Sequence, residues 1–81
     1  MKANVFITLK NGVLDPQGKA VEGALGNLGF NGIKGVRQGK FIEIELDKNL
    51  KADEAKKTLE DACKKLLANT VVENYRYELV D

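Results

Sequence analysis

Apolar and polar residues alternate along the first stretch of the chain. Over residues 2–10, Ala3, Val5, Ile7 and Leu9 fall on one side and Lys2, Asn4, Phe6, Thr8 and Lys10 on the other, the period of a strand with one face on a core. Asn11-Gly12 breaks the alternation. Beyond it Val21, Ala24, Leu25 and Leu28 recur at i, i+3, i+4 and i+7, which predicts an amphipathic helix. Asp15 is placed to be its N-cap and Pro16 its first residue, where a missing N–H costs nothing. Gly29 or Asn31-Gly32 ends it. Gly23 and Gly26 lie opposite the apolar stripe and each costs about 1 kcal/mol relative to alanine. Either they leave room for a second backbone or they are tolerated on a helix held by its other side.

Residues 33–38 and 40–47 read as two strands joined at Gly39 in a hairpin or near-hairpin. In the second, Ile42, Ile44 and Leu46 alternate with Phe41, Glu43, Glu45 and Asp47, so Phe41 shares with Phe6 the side away from the core. Residues 52–68 form a second helical pattern, with Ala55, Leu59, Ala62 and Leu66 as its buried stripe and Cys63 and Leu67 beside it. Asp53 and Glu54 lie in its first turn and Lys64 and Lys65 near its end, as the helix dipole favours. Asp53/Lys57, Glu60/Lys64 and Asp61/Lys65 are acid-first i,i+4 pairs on a solvated face. Residues 71–80 close the chain as a strand, with Val71, Tyr75, Tyr77 and Leu79 alternating against Val72, Asn74, Arg76, Glu78 and Val80.

The order is βαββαβ. It predicts an α+β, two-layer sandwich in which two helices cover one face of a four-stranded, mainly antiparallel sheet, as in the ferredoxin-like arrangement. The other face is then bare. Phe6 and Phe41 are the candidates for an interface there between copies of the chain, and a dimer or higher oligomer with sheet faces or sheet edges at the contact is expected.

Size reinforces that expectation. Residues 1–81 make one small domain, which removes only about 60–65% of its unfolded surface from water and is marginal without a staple. One cysteine and no histidine leave no disulfide framework and no usual zinc site. Association is the remaining route to stability. Thirteen Lys and Arg against twelve Asp and Glu give a net charge of +1, which supplies no long-range field for nucleic acid or anionic lipid. The chain enters directly on a charged strand and has no long apolar run, which predicts a cytosolic protein without a membrane span.

Candidate catalytic chemistry is sparse. There is no histidine for base work near neutral pH and no serine, and Cys63 sits among leucines and lysines without a base to activate it. Gly23, Gly26 and Gly29 give a G-x-x-G-x-x-G spacing inside a helix, which is not a nucleotide fingerprint. No catalytic residue, metal site or cofactor is expected. Asp15 and Gln17 in the turn before the first helix, and Arg37 and Lys40 at the predicted hairpin, are the loop residues suited to partner contacts. An RNA-recognition sheet also exposes aromatics, but here Glu43 and Glu45 share the face of Phe41, where phosphates would approach. A ligand-sensing domain of the ACT type has the same topology and is the alternative reading.

Three stretches taken in order carry a resemblance. Gly12-Val13-Leu14-Asp15-Pro16-Gln17-Gly18, Val36-Arg37-Gln38-Gly39-Lys40, and Leu66-Leu67-Ala68-Asn69 with Val72-Glu73-Asn74-Tyr75 are similar, over essentially the whole chain, to the PurS family of small subunits of phosphoribosylformylglycinamidine synthase. The resemblance implies a non-catalytic, homodimeric or homotetrameric subunit in purine biosynthesis. It would bridge a PurQ-type glutaminase and an ATP-dependent, PurL-type synthetase and support ammonia transfer between them.

Overall fold

The computed structural model describes residues 1–80. Its elements are β1 (Lys2–Leu9), α1 (Pro16–Asn27), β2 (Gly39–Glu45), α2 (Ala52–Ala62), a π-helical turn over Cys63–Leu67, and β3 (Glu73–Val80). β1 is the centre of a three-stranded antiparallel sheet of order β2-β1-β3. The register puts Val5 opposite Ile42 and Tyr77, and Phe6 opposite Phe41 and Arg76. Alternation therefore sorts residues between faces within the paired strands as the sequence predicts, but Val71, expected on the inner face of the last strand, lies in the turn before β3 and is 80% exposed. Ala3, Val5 and Ile7 are buried under α2 with Leu59 and Cys63, and Ile42, Ile44, Tyr75, Tyr77 and Leu79 pack around them.

The four-stranded sheet with two helices on one face is not what forms. Residues 33–38 make no strand, and the hairpin at Gly39 is absent, because Gly39 is itself the first residue of β2 and pairs with Thr8. The backbone N–H groups that a fourth strand would offer are taken by side chains. Val36 N–H donates to Glu22 Oε1 at 3.1 Å and Gln38 N–H to Asp15 Oδ2 at 2.8 Å. Two N–H groups spaced i, i+2 leave an extended chain on the same side, so both carboxylates of the α1 region hold one edge of this segment.

That tie also sets α1 apart from the core. Asp15 caps it as expected, accepting from Gly18 N–H at 2.9 Å, with Pro16 in the first turn. Gly29, at φ +90°, ends it in a Schellman arrangement, with Phe30 N–H on Leu25 O and Gly29 N–H on Gly26 O. Gly18 is the helix's one buried residue, while Val21 is 40% and the following Leu28 73% exposed. The predicted apolar stripe of α1 does not cover the sheet. It belongs, with Leu14, Phe30 and Ile33, to an arm whose large apolar side chains face outward.

The second helix departs from its predicted stripe at one place. Ala55 and Leu59 are buried, but Leu66 is 83% exposed while Cys63 and Ala68 are enclosed. An i→i+5 bond from Ala68 N–H to Cys63 O, 2.9 Å, widens the last turn and rotates Leu66 outward. Glu60 does not pair with Lys64 as its spacing suggests. Its Oε2 accepts from the Tyr75 hydroxyl at 2.8 Å, joining α2 to β3.

This bond favours the neutral phenol and pushes the Tyr75 pKa up to about 12, with burial adding to the effect. A raised folded-state pKa stabilises the fold fully below the unfolded phenol range near 10, and that contribution is lost as pH rises through about 12. Stability measured by urea titration is expected to fall between these values in the native chain. The decline is expected to be smaller in Tyr75→Phe, and equal slopes in the two chains would refute the assignment.

Candidate interaction surfaces

The sheet face opposite α2 is where β1, β2 and β3 send their other residues. Phe6 and Phe41 stack there with ring centroids 5.1 Å apart and 22° between planes. The Arg76 guanidinium lies over the Phe6 ring at 4.1 Å, a cation–π contact on the opposite flank. A shallow cavity of about 390 Å³ opens beside them, with Thr8, Lys40 and Asn74 also on its wall. Around the aromatics the face is polar and partly paired, with Asn4 Oδ1 left without a partner. Lys2 Nζ meets Glu43 Oε2 at 3.4 Å, and Asn4 Nδ2 donates to Glu78 Oε1 at 3.3 Å.

The second surface lies where the start of α1 meets the end of the sheet. Asp15, Gln17, Gln38, Lys40 and Glu73 surround a cleft of about 190 Å³. Three of the four residues predicted as partner contacts thus come together. They are already partly engaged, since Asp15 holds Gly18 and Gln38, and Gln17 Oε1 accepts from Gln38 Nε2 at 3.0 Å. Arg37 points elsewhere, its guanidinium donating to Asn11 Oδ1. With Leu14, Lys19, Glu22 and Lys34 it lines a separate cavity of about 290 Å³ under the arm. Gly18 cannot be larger in this arrangement, because a Cβ would press on the Asp15 carboxylate and the Val36 carbonyl.

The two backbone N–H groups, Gln38 first and Gly18 second, hold the Asp15 carboxyl below its ordinary range. A depressed folded-state value means the tether stabilises above the unfolded carboxyl range and is released as pH falls through the lowered one. Amide exchange at Gln38, corrected for its intrinsic rate, is expected to accelerate on acidification in the native chain. In Asp15→Asn that acid step is expected to vanish, and its persistence would assign it to another group.

Sequence reasoning placed Phe6 and Phe41 on the outward face but did not single out Arg76, Asn74, Glu22 or Gln38. Arg76 follows the outward alternation of its strand, yet its seat on Phe6 depends on a register that periodicity does not supply. Among the described residues no group of three or more His, Cys, Asp or Glu is placed to hold a metal, and no helix is long and apolar enough to cross a membrane.

A bare aromatic sheet face, a polar cleft whose groups fix its own backbone and an outward apolar arm define a small α+β interaction module. Known proteins make this specific. The family model described as PurS: Phosphoribosylformylglycinamidine (FGAM) synthase matches residues 2–81, and the chain belongs to that family. The phosphoribosylformylglycinamidine synthase subunit PurS of Bacillus subtilis is 44% identical over 78 residues, covering 96% of this chain and 90% of the relative. A crystal structure of B. subtilis PurS superposes with a TM-score of 0.84 at 42% identity, over 99% of this chain and 98% of that one. A chain of the PurLQS structure from Thermotoga maritima superposes with a TM-score of 0.81 at 28% identity, over 98% of this chain and 95% of that one.

Proposed function

We propose that this chain is the small subunit of an FGAM synthase assembly in purine biosynthesis. It holds a glutaminase and an ATP-dependent synthetase subunit together and supports the passage of ammonia between them. The match of residues 2–81 to the PurS family carries this reading, and the likeness to a chain of the T. maritima PurLQS structure supports the complex. Physical chemistry agrees with it. Ammonia moving between two active sites must be kept from water and from protonation, and a subunit that fixes two partners in register raises their effective concentration.

Residues 1–81 act as one unit, in the cytoplasm. Copies associate through the face of Phe6 and Phe41, two stacked rings of which Phe41 is exposed to solvent and Phe6 half-buried. Asp15, Gln17 and Lys40 at the cleft and Arg37 under the arm contribute contacts to the larger subunits. Alanine at both Arg37 and Lys40 is expected to weaken the complex several-fold at low salt and to flatten its salt dependence. Unchanged affinity and salt dependence would remove both residues from the contact.

The decisive assay is amidine formation by the matching synthetase and glutaminase subunits, with and without this chain. Omission is expected to abolish the glutamine-driven rate and to spare the rate driven by added ammonia. Equal glutamine-driven rates would overturn the proposal.

A further inference from the structure

Arg37 stands on a segment that burial does not hold. Residues 33–38 lie outside the sheet, and of them only Val36 is half-buried. A loop with so little buried surface samples many conformations unless polar contacts fix it. Here they do. Val36 N–H donates to Glu22 Oε1 and Gln38 N–H to Asp15 Oδ2, so the residues on either side of Arg37 are each pinned to a carboxylate from α1 or its cap. The Val36 carbonyl lies against Gly18, where a Cβ would not fit. The Arg37 guanidinium in turn donates to Asn11 Oδ1. Side chains from the loop before α1, from its cap and from its body thus converge on one exposed arginine.

From this convergence we infer that Glu22 is a positioning residue for Arg37, which meets a carboxylate of a larger subunit already in its bound conformation. The inference rests on the reading of Arg37 as a partner contact and adds the group that prepares it. An arginine that docks from a mobile loop loses backbone and side-chain freedom, and the loss is subtracted from the affinity. A clamp formed in the free chain takes that loss during folding instead. The carboxylate as target follows from the shape of the cation. A planar guanidinium held at one nitrogen by Asn11 keeps its remaining N–H groups for a pair of acceptor oxygens.

Of the three holding side chains, Glu22 separates positioning from other roles. Asp15 also caps α1, and Asn11 touches the guanidinium itself. Glu22 acts on the backbone at Val36, with its second carboxylate oxygen 3.7 Å from Lys19 Nζ. Charge and geometry then predict opposite signs. Deleting a negative charge from the cavity that Glu22 and Arg37 share strengthens attraction to an acidic partner, for Glu22→Ala and Glu22→Gln alike. Positioning predicts a loss in Glu22→Ala alone, because glutamine keeps a carbonyl oxygen for the Val36 N–H.

The test is affinity for the matching synthetase and glutaminase subunits at low salt, for the native chain, Glu22→Ala, Glu22→Gln, Arg37→Ala and the double alanine variant. Arg37→Ala is expected to raise the dissociation constant about threefold, Glu22→Ala nearly as much, and Glu22→Gln to bind as the native chain does. The double variant is expected to match Arg37→Ala, since the clamp has nothing to position once the arginine is gone. Amide exchange in the free chain gives a second readout. Val36 is expected to exchange faster in Glu22→Ala and not in Glu22→Gln, with the Arg76 amide unchanged as the mark of an intact sheet. Unchanged or tighter binding in Glu22→Ala, an equal loss in Glu22→Gln, or additive losses in the double variant overturn the positioning role and leave Arg37 as a contact. No effect of Arg37→Ala overturns the contact and the positioning together.

Discussion

Alanine at Leu59 is expected to remove about 2–5 kcal/mol of stability, the range for emptying a fully buried leucine site. Leu59 is the large aliphatic side chain through which α2 reaches the sheet, 1% exposed and in the same cluster as Val5, Ile7 and Cys63. The neighbouring buried residues of the helix, Ala55 and Cys63, are small and cannot extend into the space left. In a chain of 81 residues a loss of that size takes much of the total, since native domains hold only about 5–15 kcal/mol. A urea titration is the measurement, and a loss below about 1 kcal/mol would mean that α2 is not held to the sheet by this contact. Leu66→Ala, at an exposed site, serves as the control and is expected to be within about 0.5 kcal/mol of the native chain.

The second large effect is expected from Gly39→Ala, at about 1–3 kcal/mol, the usual cost of forcing extra volume into close packing. A Cβ at this position would press on the carbonyl oxygen of Ile7, and 2.8 Å away it would meet the Thr8 methyl. Ile7 is in the central strand, which is paired on both sides, so its backbone cannot step back without disturbing the sheet. The lesion is local to one ladder. Amide exchange is therefore expected to rise in Ile42 and Ile44 of β2 more than in Arg76 and Glu78 of β3, whose N–H groups face β1. A uniform rise across both ladders would show that the strain is shared by the whole sheet.

The contrast between these two sites marks how far the sequence alone carries. Leu59 stands out from helical spacing, and the inner and outer faces of β1, β2 and β3 follow from alternation, because burial on one side imposes a period of two. Asp15 and Pro16 announce a helix start through local chemistry, which needs no distant partner. Residues 33–38 are different. IKGVRQ has the composition of a strand, but its amides are taken by Asp15 and Glu22, whose side chains reach it from outside the segment. No periodicity encodes that choice.

The exposed Leu66 has a similar cause. One i→i+5 bond at Cys63 shifts the phase of everything after it, and a stripe drawn at 3.6 residues per turn cannot anticipate the shift. At the candidate interaction surfaces, Phe6 and Phe41 were legible as outward aromatics, while their mutual stacking and the arginine above them come from register.

The central place of β1 bears on how the chain comes to be folded as it is made. Both neighbours of β1 lie far along the sequence, with Thr8 meeting Gly39 and Leu9 meeting Glu73 at the closest approaches of the two ladders. The sheet contains no hairpin, so loop closure must precede every strand pairing. During synthesis β1 leaves the ribosome first and finds one partner only after β2, and the other only after β3, has followed it. Until then its apolar face of Ala3, Val5 and Ile7 is open to other chains, and the interval before β3 emerges is when the nascent protein is most exposed to aggregation.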